Sequence, residues 1–169
     1  MTLLEFGFDN AFGLPAHPLV VHAAVVLVPL AALAFVATGW RAAWRQTYYL
    51  PITLLAVAGS VASWVAKQTG ESLQETVRAA GKRVGDHPQN GDVAFVTATL
   101  FAMACVTVYV YQTYGEQLRE RFGLQDKFRL PVDEQVALYV ATVPLAALAV
   151  VAMVIAGHSG ATLVWSTNK

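Results

Sequence analysis

Charge is what this chain has least of. Only 13% of its 169 residues are Asp, Glu, Lys or Arg, where soluble domains carry roughly 25%. The shortage is concentrated: residues 10 to 40, 46 to 66, 93 to 115 and 135 to 168 hold none of the four. A membrane-crossing helix needs ~20 predominantly apolar residues. Each stretch is long enough, so the soluble globular class is excluded. The net charge of zero offers no basic stripe, and nucleic acid is excluded as a partner. A single cysteine, Cys105, forbids an internal disulfide, and the lack of C-x-x-C-H forbids covalent haem attachment. Cys105 itself reads as a small apolar packing residue. No G-x-S-x-G, H-E-x-x-H or P-loop occurs, which removes the common hydrolase and nucleotide-binding chemistries. With no acidic residue at mid-bilayer depth, an ion pump has nothing to work with.

What is there is an all-α, polytopic membrane protein: one domain over 1–169, with spans expected at about 18–40, 48–66, 93–114 and 135–157. The start, "MTLLEFGFDNAFGLPAHP", lacks the basic n-region of a signal peptide, so the first run is expected to be retained as a span. Pro18 suits a first helical turn, where its missing N–H would be unpaired anyway. Trp40, Tyr48 and Tyr49 cluster at one interface, a depth these rings favour. Arg41 and Arg45 fill the first connection, and Arg119, Arg121, Lys127 and Arg129 the third. Lys67, Arg78, Lys82, Arg83 and Lys169 lie on the other side, three of them inside a long loop where charge counts for less. Loops 41–47 and 115–134 are therefore expected in the cytoplasm and both termini outside a plasma membrane. The outer loop, 67–91, spaces Leu73, Val77 and Val84 as an amphipathic helix does, and a short surface helix is expected there.

Four histidines then fall on the outer face. His17 and His22 open the first span in "HPLVVH", His87 opens the third in "HPQNGD", and His158 closes the fourth. The second span ends in "KQTGESL" and the fourth in "AGHSGATL", so the chain reads as two repeated helical hairpins. Repeats of this kind place sites at their shared interface. His22 lies four residues into its helix, ~6 Å down at 1.5 Å per residue. An imidazole at that depth needs a partner, which makes it a site candidate. His17 and His22 lie ~140° apart on an ideal helix. They share a ligand only if His17 stays extended before Pro18.

Three chemistries suit such a set. Neutral imidazoles from facing helices ligate a b-type haem, with His22 paired to His87 or His158 and the remaining histidines, His17 included, around the cofactor. Copper or zinc held by His22, His87 and His158 is the second. The third is an anchoring role for histidines at helix mouths, as in a non-catalytic accessory subunit of a respiratory membrane complex.

Four of these stretches, "HPLVVH", "ASWVAKQTGESL", "HPQNGD" and "GHSGATLVW", resemble domain-of-unknown-function family 2231 over residues 14 to 165. Its members are small four-helix predicted membrane proteins. By this resemblance His17 and His22 match the family's first motif, His87 its histidine before helix three and His158 its closing motif. Pro88 departs from the pattern, which has an acidic or apolar residue there. Relatives joined to Rieske-type iron–sulfur domains imply redox company. The expectation is electron transfer through a haem b at the outer end of the bundle, with quinol or a respiratory complex as partner.

Overall fold

The computed structural model describes residues 10–11, 14–39, 41–79, 81, 85–123 and 134–166. A short antiparallel bridge pairs β1 (Asn10–Ala11) with β2 (Leu14–Pro15). Four helices follow: α1 (Ala16–Gly39), α2 (Ala42–Ala79), α3 (His87–Phe122) and α4 (Glu134–Ser166). All four are long and apolar enough to cross a membrane. They stand in a ring, α1 against α2 and α4, and α3 against α2 and α4. The protein is a four-helix membrane bundle.

Helix starts and stops follow local chemistry. α1 and α3 each open with His-Pro, placing Pro18 and Pro88 in first turns where a missing N–H costs nothing. α3 ends at Gly123, whose φ of 61° lets its N–H reach back to the carbonyls of Arg119 and Glu120. Several hydroxyls inside the spans return to their own helix, as Ser63 does to Gly59 and Thr142 to Leu138, while Thr53 of α2 donates to the Cys105 carbonyl of α3. In lipid each such group must be satisfied internally.

Inside and outside differ by size more than by polarity. Eleven of the nineteen residues in the buried cluster are alanines, whereas Leu30, Leu33, Leu100 and Val151 face outward. Lipid is as apolar as the core, so helices associate through close van der Waals fit, which small residues permit. The bulk is concentrated in a few rings. Phe35 stacks on Tyr49 (5.5 Å) and on Tyr139 (5.4 Å), and meets Phe101 edge-on at 6.0 Å. Tyr139 lies so close to Gly39 that no Cβ fits there.

Two expectations change. The surface helix of 67–91 is not separate: α2 runs unbroken to Ala79 and is ~57 Å long at 1.5 Å per residue. Lys67 pairs with Glu71 one turn on (3.5 Å), and Gly70 between them stays helical with His17 packed on it. α3 likewise extends to Phe122, into the expected inner loop, of which residues 124–133 and Val84 of the outer loop lie outside the described residues. There Arg119 pairs with Glu134, joining α3 to α4.

Candidate cofactor site at the histidine end

The starts of α1 and α3 meet the later turns of α2 and α4 at one end of the bundle. His17 comes in from α1 and His87 from α3. Both are half-buried, with ring centroids 6.4 Å apart and planes at 77°. Helical phase puts them there. His17 begins the inner stripe that continues through Ala24, Val28, Ala31 and Phe35. His87 begins the matching stripe through Ala94, Ala98, Phe101 and Cys105, seventy positions later at every step.

Each ring is held by the second helix of its own hairpin. His17 Nδ1 lies 3.0 Å from the Ala66 carbonyl and 3.1 Å from Thr69 Oγ1. The Thr69 hydroxyl donates to the Val65 and Ala66 carbonyls, so toward the ring its oxygen accepts. Two acceptors at Nδ1 place the ring proton there and leave a lone pair on Nε2, which no described residue bonds. His87 repeats this. Its Nδ1 lies 3.0 Å from Ser159 Oγ, Ser159 donates to the Ala156 carbonyl at 3.0 Å, and that carbonyl also bonds the ring. Ala66, Thr69 and Gly70 thus recur as Ala156, Ser159 and Gly160, ninety positions on.

The glycines leave room for the rings. A Cβ on Gly70 would stand 3.0 Å from His17 Cε1, and one on Gly160 would stand 2.9 Å from His87 Cε1. Each imidazole lies directly on a neighbouring backbone.

The other two histidines are elsewhere. His22 is exposed, its Nδ1 turned 2.5 Å from the Pro18 carbonyl of its own helix. His158 is exposed on α4. Each sits two positions from a buried alanine, Ala24 or Ala156, which is ~200° around the helix. His22 was expected to pair with His87 or His158; the two rings that the structure brings together are His17 and His87. Nor does His17 need extended chain: it lies in the first turn of α1 and faces inward from there. Among the described residues no three His, Cys, Asp or Glu side chains converge, so His22, His87 and His158 do not assemble as a metal set.

A family model described as a predicted membrane protein, DUF2231, matches residues 13–168. The chain belongs to this family. No curated protein and no solved structure matches it. The family match spans both hairpins of this DUF2231 protein, and so includes both histidine cradles. Thr69, Ser159, Gly70 and Gly160 were missed as site residues in the sequence, although "KQTGESL" and "AGHSGATL" contain them at matching places.

Proposed function

We propose that this DUF2231 protein is a membrane-embedded electron-transfer protein that holds a b-type haem between His17 and His87. The observation that carries this reading is the donor set: two imidazoles, one per hairpin, each with Nδ1 engaged and Nε2 free. A bare zinc or copper ion asks the protein for three or four donors. Haem brings four nitrogens of its own and asks for two. With ring centroids 6.4 Å apart and one ring from each hairpin, His17 and His87 are the residues that would hold it.

Bound there, haem would supply a one-electron iron centre held by His17 and His87. The chain's residues do the rest. Ala66 and Thr69 fix the orientation of His17, Ser159 and Ala156 that of His87, and an accepted Nδ1 proton makes Nε2 a stronger donor. α2 continues past Gly70 to Ala79, and α4 past Gly160 to Ser166. Arg41, Arg45, Arg119 and Arg121 gather at the opposite end. The positive-inside tendency then turns the histidine end away from the cytoplasm of a plasma membrane. A quinol, a Rieske-type protein or a respiratory complex subunit is the partner class.

The test is optical. Purified protein from cells supplied with haem precursor should show a Soret band and reducible α and β bands, with one haem per chain by extraction. Colourless protein carrying stoichiometric copper or zinc, or no metal at all, would end the proposal.

A further inference from the structure

Two hydrogen-bond donors at the arginine end have no acceptor among the described residues. Tyr49 is only 3% exposed, and its buried hydroxyl has no partner there. Arg45 is half-buried; its Nη1 donates to the Gly39 carbonyl at 3.3 Å, but its buried Nε donates to nothing. The two residues lie one turn apart on one face of α2. Helical side chains lean toward the start of their helix, so the Tyr49 hydroxyl lies over the turn that carries Arg45. Arg45 is accordingly among the groups that act on it electrostatically. The repeat does not demand such an orphan. Tyr139, ninety positions on from Tyr49, donates its hydroxyl across to the Val36 carbonyl at 3.0 Å. A buried donor left unpaired carries its full desolvation cost, which an acceptor from outside the chain would remove.

Charge decides the kind of acceptor. No Asp or Glu occurs between residues 10 and 70. Among the described residues Lys67 holds Asp92 across the α2–α3 seam at 2.5 Å and reaches Glu71 at 3.5 Å, and Arg119 pairs with Glu134. Arg41 and Arg45 have no carboxylate partner among those residues. They stand four positions apart, where like charges repel, and the positive end of the α2 dipole adds to them. Arg41 lies over the Trp44 ring at 4.9 Å, and Trp44 and Tyr48 are exposed. Such rings favour the headgroup depth of a bilayer. The abundant anion at that depth is the phosphodiester of a phospholipid, and the N–H fork of arginine suits phosphate oxygens. We propose that the first turns of α2 bind the phosphodiester of an anionic phospholipid from the leaflet at the arginine end, one oxygen on Arg45 and one on Tyr49. The site stands apart from the histidine end and is independent of what that end holds.

The experiment uses full-length protein in a neutral maltoside detergent, washed free of lipid. Dioleoyl phosphatidylglycerol, dioleoyl phosphatidylcholine or inorganic phosphate is added, native mass spectrometry counts what stays bound, and the unfolding temperature is read on the same samples. Phosphatidylglycerol should bind one per chain and raise the unfolding temperature by several degrees. Phosphatidylcholine should do so more weakly, and inorganic phosphate not at all. Tyr49→Phe keeps the ring that stacks on Phe35 and removes only the hydroxyl. Without lipid it should unfold no lower than the parent, since an orphaned donor has gone, and with phosphatidylglycerol it should gain little. Arg45→Gln should bind several-fold less lipid, whereas Arg121→Gln, at the same end on α3, should bind as the parent does. Equal lipid binding by the parent, Tyr49→Phe and Arg45→Gln would overturn the proposal, as would equal losses in Arg45→Gln and Arg121→Gln. So would a lipid-free Tyr49→Phe that unfolds below the parent, because the hydroxyl would then have its acceptor within the protein. Inorganic phosphate binding as well as the lipid would replace the phospholipid with a free anion and refute the lipid site.

Discussion

The α1–α2 and α3–α4 hairpins are two versions of one design, and their differences mark where each has specialised. Both start with His-Pro, both hold the imidazole through a carbonyl and a hydroxyl three residues apart, and both lay the ring on glycine. In mid-bundle the equivalence becomes complementarity. Ala31 in the first hairpin corresponds to Phe101 in the second, and Phe35 to Cys105, so the two large rings stand at staggered levels and meet edge-on. A strict copy would put two phenylalanines or two small groups at one level, and close packing tolerates neither overlap nor void. The repeat is kept at the two histidine cradles and broken where a core has to be filled.

The comparison can be broken most severely at that filled level. Phe35→Ala removes the ring that Tyr49 and Tyr139 stack upon and should cost about 3–5 kcal/mol. Cys105→Ala, at the equivalent position, should cost far less. Unfolding in mixed micelles by added denaturing detergent measures both, and equal losses would refute the complementarity. Next in size come the glycines. Gly70→Ala and Gly160→Ala should each displace an imidazole and destabilise by about 1–3 kcal/mol as overpacked sites do. Gly157→Ala, whose Cβ would find Val25 at an ordinary 3.9 Å, should be silent. Haem retention during purification and unfolding midpoints read this contrast. The smallest effect belongs to the seam: Lys67→Ala or Asp92→Ala breaks a largely exposed pair, worth about 0.2–1 kcal/mol.

Much of this was legible before any coordinates. Charge-free runs marked the four spans, and the echo of "HPLVVH" with "HPQNGD" marked the hairpins. Which two histidines meet was less accessible, because helical phase decides it and depth does not. His22 is sunk into its helix yet lies on the outward side, while His17 sits at the mouth on the inward side. In a membrane helix, apolar on every face, polarity does not reveal phase. The size pattern does: alanines at 24, 31 and 32 oppose leucines at 19, 30 and 33, and extending the small stripe backward leads to His17. The surface helix was misplaced for a related reason. An amphipathic segment continuous with a span needs no boundary, and Gly70, covered by His17, gives none.

The most direct test of the central claim is the reduced-minus-oxidised spectrum of four single variants purified alongside the parent. His17→Ala and His87→Ala should each lose the bis-imidazole α band, whereas His22→Ala and His158→Ala should keep it at parental intensity. Loss of the band in His22→Ala with retention in His17→Ala would contradict the account.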